Sequence, residues 1–195
     1  MIAGIILAAG ASSRMGSPKA LLDYRGETFV ERLVNLLSRV CDPVIVALGH
    51  HAAAIRARVE RSAQMVINPD PDRGQLSSLQ AALAAIPAEA EGFLFIPVDC
   101  PAVELATVRR VAAAFESRKP ETLLVIPRIG DKRGHPVFAV RSLAEELLAL
   151  PPTGQARDVV HGHRAQTEYV NVDDPGILTD VDDLEAYRKL MRSAS

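Results

Sequence analysis

Ten residues near the amino terminus carry the densest chemistry in the sequence. Gly10-Ala11-Ser12-Ser13-Arg14-Met15-Gly16-Ser17-Pro18-Lys19 directly follows an apolar run and combines two glycines with two cations. Glycine lets backbone amides approach a ligand closely, the arrangement that receives phosphate. Arg14 and Lys19 add two fixed positive charges, so the loop reads as a triphosphate cradle. Its spacing is not Walker A: five residues separate the glycines and Lys19 stands three beyond the second. Nor is it Gly-x-Gly-x-x-Gly, which disfavours a nicotinamide dinucleotide. The second candidate is Asp99, which ends the apolar run at 93–98. Magnesium takes one or two carboxylates together with substrate phosphates, and a lone acid facing the glycine loop suits it. An aspartate here would equally cap a helix beginning after Pro101, and the residue types leave both readings open.

The elements that must position these groups are legible as an alternation. Apolar runs at 2–9, 43–48, 65–67, 92–98 and 123–127 read as strands buried on both faces, which marks central parallel strands. Further strands are expected at 136–140 and 166–172. Helical faces lie between them: Val30, Leu33, Val34, Leu37 and Val40; Leu76, Leu79, Leu83 and Ile86; Leu105, Val108, Ala112 and Phe115. A last helix is expected from about Asp182, carrying Leu184, Tyr187 and Leu190. This alternation predicts right-handed crossovers and an α/β, three-layer Rossmann-like fold: a mostly parallel sheet with helices on both faces. Such sheets bind ligands at the carboxyl ends of their strands. The loops 10–19 and 68–75 and the segment Asp99-Cys100-Pro101 all fall there.

The 195 residues suit one domain spanning 1–195. With 22 Lys and Arg against 24 Asp and Glu, the net charge of -2 offers no footprint for nucleic acid. Cys41 and Cys100 make neither a disulfide framework nor a metal-ligand pattern. The longest apolar run, eight residues at 2–9, is far short of the roughly 20 that cross a bilayer. No basic stretch precedes it, so a secretory signal and a membrane partner are not expected, and the cytoplasm is the expected compartment. His50-His51 and His161-Gly162-His163 lack partners at ligand spacing and read as surface loops. Cys100 reads as a small buried hydrophobe. Arg73 and Arg133 flank site loops, where contact with phosphate and plain exposure are equally consistent. Asp70 and Asp72, alternating with prolines, read as a rigid turn.

The stretch LAAGASSRMGSPKALL at 7–22 resembles the opening signature of nucleotidyltransferases of the Rossmann-like GT-A type. GQLSSLQAAL (74–83), VDCPAV (98–103), RGHPVFA (133–139) and LTDVDDLEAY (178–187) narrow the likeness to the MobA-like NTP transferases. Within them the chain is most similar to the molybdenum cofactor cytidylyltransferases, over nearly its whole length. The resemblance implies that Leu7, Ala8, Ala9, Gly10, Ser12, Arg14, Gly16 and Lys19 hold the base edge and triphosphate. Gln75 and Ser78 would contact base and ribose, Asp99 would bind Mg2+, and Gly134, His135 and Pro136 would line the acceptor pocket. Arg14, Lys19 and Asp99 would be catalytic. Relatives carry roughly D-I-D-T-P-E-D near the carboxyl terminus as a second metal ligand. Here it reads Asp180-Val181-Asp182-Asp183 without Thr-Pro, which leaves Asp180 or Asp182, and Asp180, aligning with the first acid, is the expected second ligand of Mg2+. Guanylyl-transferring relatives show Leu-Ala-Gly-Gly where this chain has Leu7-Ala8-Ala9-Gly10, so the extra methyl implies CTP.

The implied reaction is attack by the phosphate of molybdopterin on the nucleotide α-phosphorus, with pyrophosphate leaving and a molybdoenzyme as downstream partner. Two alternatives stand beside it. One is a sugar-phosphate or methylerythritol-phosphate acceptor. The other is a maturation protein for a molybdoenzyme that binds pterin and nucleotide without turnover.

Overall fold

The first strand, β1 (Ile2–Ala8), is buried at every position. Side chains alternate across a strand, so a run without polar residues must be covered on both faces. Both covers are present. Ile2, Ile6 and Ala8 face one apolar layer, whereas Ala3, Ile5 and Leu7 face another. The computed structural model describes residues 1–59 and 61–193.

After β1 the chain forms a small hairpin, β2 (Asp23–Tyr24) and β3 (Glu27–Thr28), then α1 (Phe29–Leu37). There follow β4 (Val44–Leu48), α2 (Ala52–Val59), β5 (Gln64–Ile67), α3 (Gln75–Leu83), β6 (Gly92–Pro97) and α4 (Leu105–Glu116). The remainder is β7 (Leu124–Ile129), β8 (Lys132–Arg133), β9 (Val137–Val140), α5 (Ser142–Ala149), α6 (Ala156–Gly162), β10 (Thr167–Asn171) and α7 (Leu184–Ser193).

The main sheet runs β10-β7-β9-β6-β1-β4-β5, with β8 paired to β7. Pairings among β6, β1, β4 and β5 are parallel, as is β10 with β7. β9 runs antiparallel between β6 and β7, and β8 antiparallel to β7. Side chains of α1, α2, α4 and α7 build the apolar layer on one face, and those of α3, α5 and α6 build the other. The expected three-layer, mostly parallel α/β architecture is therefore present. Among the described residues no helix is long and apolar enough to cross a membrane.

Some boundaries differ from the periodicity. α1 ends at Leu37 and α3 at Leu83, so Val40 and Ile86 pack just beyond their helices. The sequence reading also passed over the hairpin at 23–28, α2, β8, α5 and α6. The hairpin strands have two residues each, too few to show alternation. α6 buries only Val159 fully, so its apolar face is too narrow to register as a stripe.

Candidate functional site

Beyond β1 the chain turns outward at Ala9-Gly10 and folds back over itself. Ser12 and Gly16 take φ of +53° and +69°, the left-handed turns that reverse the loop. The Met15 N–H donates to the Ser12 carbonyl at 2.9 Å, and the Lys19 N–H donates to Ser12 Oγ at 2.9 Å. Met15 is buried beneath the loop as its anchor. The backbone of Lys19 is thus pinned while its side chain reaches inward.

That side chain ends between two carboxylates distant in sequence. Lys19 Nζ donates to Asp99 Oδ2 at 3.2 Å and to Asp182 Oδ1 at 2.7 Å. Backbone bonds set Asp99 in place: the Val98 N–H donates to the Leu7 carbonyl at 3.1 Å, and the Val181 N–H to the Asp99 carbonyl at 2.9 Å. The Lys19 and Asp99 side chains are 14% and 24% exposed, whereas Asp182 at 49% faces solvent. Burial pulls the Lys19 ammonium down, but its hydrogen bonds and attraction to Asp182 and Asp99 outweigh this and hold it above the usual lysine value. Burial raises the Asp99 carboxyl, assisted by Asp182 and Asp180 and opposed by Lys19. The hydrogen bond from Lys19 holds Asp182 below the usual carboxylate range.

These groups stand in the wall of a cavity of about 240 Å³. Leu7, Ala8, Ala9, Gly10, Ser12, Arg14, Lys19, Gln75, Ser78, Asp99 and Asp182 line it, which gathers nearly all the residues assigned to the nucleotide. Gly16 does not line it; it sits exposed at the turn of the loop. The segment before α3 is built around buried Asn68. Its Nδ2 donates to Ser77 Oγ at 2.8 Å and Ser78 Oγ at 3.0 Å, while its Oδ1 accepts from the Asp70 N–H at 3.0 Å. A turn at Pro71–Arg73 follows, and Gly74 caps α3 with φ of +94°. Gly49 admits the close packing of this wall: a Cβ there would stand 2.6 Å from Pro71 Cβ and 2.7 Å from the Ala9 carbonyl.

A second cavity of about 590 Å³ shares Gln75, Pro97, Asp99 and Asp182 with the first. Its apolar surface includes Phe95, Ile126, Val137, Val160 and Ile177; Asp180, Arg133, Arg157 and His161 supply polar groups. Gly134 and His135 line it, whereas Pro136 is buried and does not. A Cβ at Gly134 would collide with the Ile177 carbonyl, which explains a glycine there. Burial lowers His135 to about 4, so its ring is neutral at pH 7. The ring packs edge-on against Phe95 at 6.1 Å, and its Nδ1 has no hydrogen-bond partner.

Sequence reasoning missed Arg157 and read His161 as a surface loop, whereas the two lie one helical turn apart on α6 and line this cavity. Their only signal was their spacing on a helix that was itself not recognised.

The other candidates have structural roles. His50 Nε2 meets Asp72 at 2.9 Å, and His163 Nε2 meets Glu146 at 2.7 Å. Cys100 is buried beside Asp99, and desolvation pushes its thiol well above the usual value, so it is no nucleophile. Among the described residues, no group of three or more His, Cys, Asp and Glu is arranged to hold a metal by protein ligands alone. Two carboxylates beside a triphosphate-sized hollow are instead the donor set that magnesium accepts with substrate phosphates.

The arrangement joins a cationic, amide-lined hollow to a broader apolar one through a carboxylate wall. The family model of the MobA-like NTP transferase domain matches residues 4–168. A protein named nicotine blue oxidoreductase from Paenarthrobacter nicotinovorans is 36% identical over 70% of this chain and 69% of its own length. A probable molybdenum cofactor guanylyltransferase from Bacillus cereus is 31% identical, covering 76% of this chain and 72% of that protein. The match to another so named, from Bacillus cytotoxicus, spans 57% of that protein. The crystal structure of Rv0371c from Mycobacterium tuberculosis superposes with a TM-score of 0.87 at 32% identity, covering 98% of both chains. The same protein in complex with manganese gives 0.81 at 31% identity, again over 98% of both chains.

Proposed function

The chain belongs to the MobA-like NTP transferase family, and on that premise we propose that it transfers CMP from CTP to the phosphate of molybdopterin, releasing pyrophosphate. The observation that carries the reading is Lys19, bonded to Asp99 and Asp182 at the wall common to both cavities. A nucleotide in the first cavity and an acceptor in the second would bring their reacting ends together at that wall.

Each residue then has a task. Loop amides from Gly10 onward, with Arg14 and Lys19, neutralise the triphosphate, and Gly16 lets the loop turn around it. Leu7, Ala8, Ala9, Gln75 and Ser78 surround the nucleoside. Ser12 fixes the cradle through its bond to Lys19. Asp99 and a second acid hold Mg2+, which supplies charge neutralisation when bound. For the second acid, Asp182 is favoured over Asp180 because it already shares Lys19 with Asp99, whereas Asp180 lines only the second cavity. Gly134 and His135 shape the acceptor side, with Pro136 behind them.

No general base is required, because a phosphate acceptor is already ionised at pH 7. Catalysis reduces to positioning and charge stabilisation, as in other phosphoryl chemistry. Neutral His135 and protonated Cys100 are consistent with that division of labour.

Ala9 supports cytidine over guanosine. It is buried, lines the first cavity and stands close to Gly49, so its methyl group is fixed in the wall that would meet the base. The relatives named as guanylyltransferases make GTP the competitor to test. The relative named as an oxidoreductase makes a redox activity the rival of a different class. The Gly10–Gly16 loop opposes it through its lack of dinucleotide-binding spacing.

Pyrophosphate release decides, measured with CTP, GTP, ATP and UTP, each with and without molybdopterin. Release with CTP only when molybdopterin is present is the expected result. Preference for GTP would overturn the Ala9 assignment, and release with a sugar phosphate instead would overturn the acceptor. Binding of nucleotide and pterin without release would leave a maturation protein for a molybdoenzyme.

A further inference from the structure

Lys19 occupies the position that a cation must take at this wall. Its ammonium sits between Asp99 and Asp182, 3.2 Å and 2.7 Å away, and both bonds span long stretches of sequence. Without it, largely buried Asp99 and half-exposed Asp182 would face each other with only the attraction of Arg14 for Asp182, weaker than a direct ion pair, to offset their repulsion. From this geometry we infer that Lys19 is a built-in counter-ion that keeps a free divalent cation off Asp99 and Asp182 until a triphosphate draws its ammonium away. The inference rests on the nucleotidyl-transfer reading and adds an order of binding to it.

Three features make the exchange feasible. First, the Lys19 backbone is fixed through Ser12, whereas the ammonium rides on a flexible four-carbon stem that can swing without moving the loop. Second, Arg14 lines the same cavity and attracts Asp182 without a hydrogen bond or close ion pair among the described residues, so a second positive group stands ready to meet the triphosphate. Third, the charges rebalance. The triphosphate gives the ammonium a stronger anionic partner than two carboxylates, and the metal arriving with it gives those carboxylates two positive charges for one. Each ligand removes the obstacle to the other, which is positive coupling between them. A divalent cation alone must instead displace Lys19 and leave a largely buried ammonium unpaired, a costly state.

The test uses Mn2+ alone, titrated calorimetrically into the wild-type chain and into Lys19→Met, with circular dichroism checking that the variant is folded. The inference expects Lys19→Met to bind Mn2+ at least tenfold more tightly than wild type. It also expects the gain to vanish in Lys19→Met/Asp99→Asn. Equal or weaker binding by Lys19→Met overturns it. A wild-type measurement stands beside these in case the variant does not fold. Paramagnetic broadening of the amide signals of residues 10–19 is recorded with Mn2+ alone and with Mn2+ plus CTP. Broadening only in the presence of CTP is expected, and equal broadening by the metal alone contradicts the inference. Wild type that binds no nucleotide would defeat the nucleotidyl-transfer reading, whereas the Mn2+ affinities of the two proteins would still be compared without it.

Discussion

The two cavities meet at one wall but are built on different plans. The first lies at the ends of parallel strands β1 and β6, and contiguous segments make most of it: residues 7–20 and the start of α3. Its groups are small residues and cations on a loop tied by bonds such as that from the Lys19 N–H to Ser12 Oγ. The second lies where β9 turns the sheet antiparallel, and it draws on β6, β7, β9, α6 and the segment before α7. Its floor is apolar and its charged groups are dispersed along the rim. A site that must neutralise a triphosphate needs the backbone itself close by and fixed. A site that must fit a particular body needs shape, which many segments can supply.

This contrast can be broken experimentally, beginning where the effect should be largest. Lys19→Ala removes the charge at the shared wall and is expected to slow pyrophosphate release by about 10²–10³-fold, the cost of one preorganised charged donor. Steady-state rates at saturating nucleotide check this, and turnover within a few-fold of wild type would remove Lys19 from the chemistry. Chelation of divalent metal should abolish the same release.

The next effect concerns stability in the second region. Folded His135 takes up its proton only near pH 4, whereas the unfolded chain does so near the ordinary value of 6.5. Between these values the unfolded state binds more protons, so stability is present above the window and falls as pH is lowered through it. The loss should reach roughly 2–3 kcal/mol at its lower end. Urea unfolding at pH 7 and pH 4.5 measures it, and a His135→Gln chain with the same acid sensitivity as wild type would refute it.

A smaller effect separates the cavities by substrate. Arg157→Ala should raise KM for the acceptor by about tenfold, as expected for one exposed charged hydrogen bond, with KM for the nucleotide unchanged. A change confined to the nucleotide would show that the two cavities are not divided in this way. Smallest is His163, whose partners Gln166 and Glu146 raise its pKa. That stabilisation is complete below the ordinary imidazole value and is lost as pH rises through the raised one. His163→Gln should therefore cost no more than about 1 kcal/mol at pH 5.5, and less at pH 8, in thermal or urea unfolding.

The same difference explains what could be read from the chain. Apolar runs such as 2–9 and 92–98 gave away the central strands because both faces of the sheet are covered. The nucleotide side was legible residue by residue, since Gly10, Arg14 and Lys19 lie within one loop. Pairing of Asp99 with that loop followed from the rule that strand ends carry function. Asp182 over Asp180 at Lys19 was not legible, because the choice depends on how the segment before α7 docks through the Val181 N–H onto the Asp99 carbonyl. Arg157 was missed and His161 reads as a loop residue in the sequence because α6 buries one residue fully and announces no period. Asn68 looked like part of a turn; its role in tying Ser77 and Ser78 to the loop appears only in three dimensions.

Diffraction from crystals soaked with Mn2+ and a non-hydrolysable CTP analogue would test the central claim most directly. The account predicts an anomalous peak at Asp99, with the triphosphate along residues 10–19 and the Lys19 ammonium on a phosphate oxygen. Nucleotide density elsewhere, or a metal peak remote from Asp99 with Lys19 still bridging its two carboxylates, would contradict it.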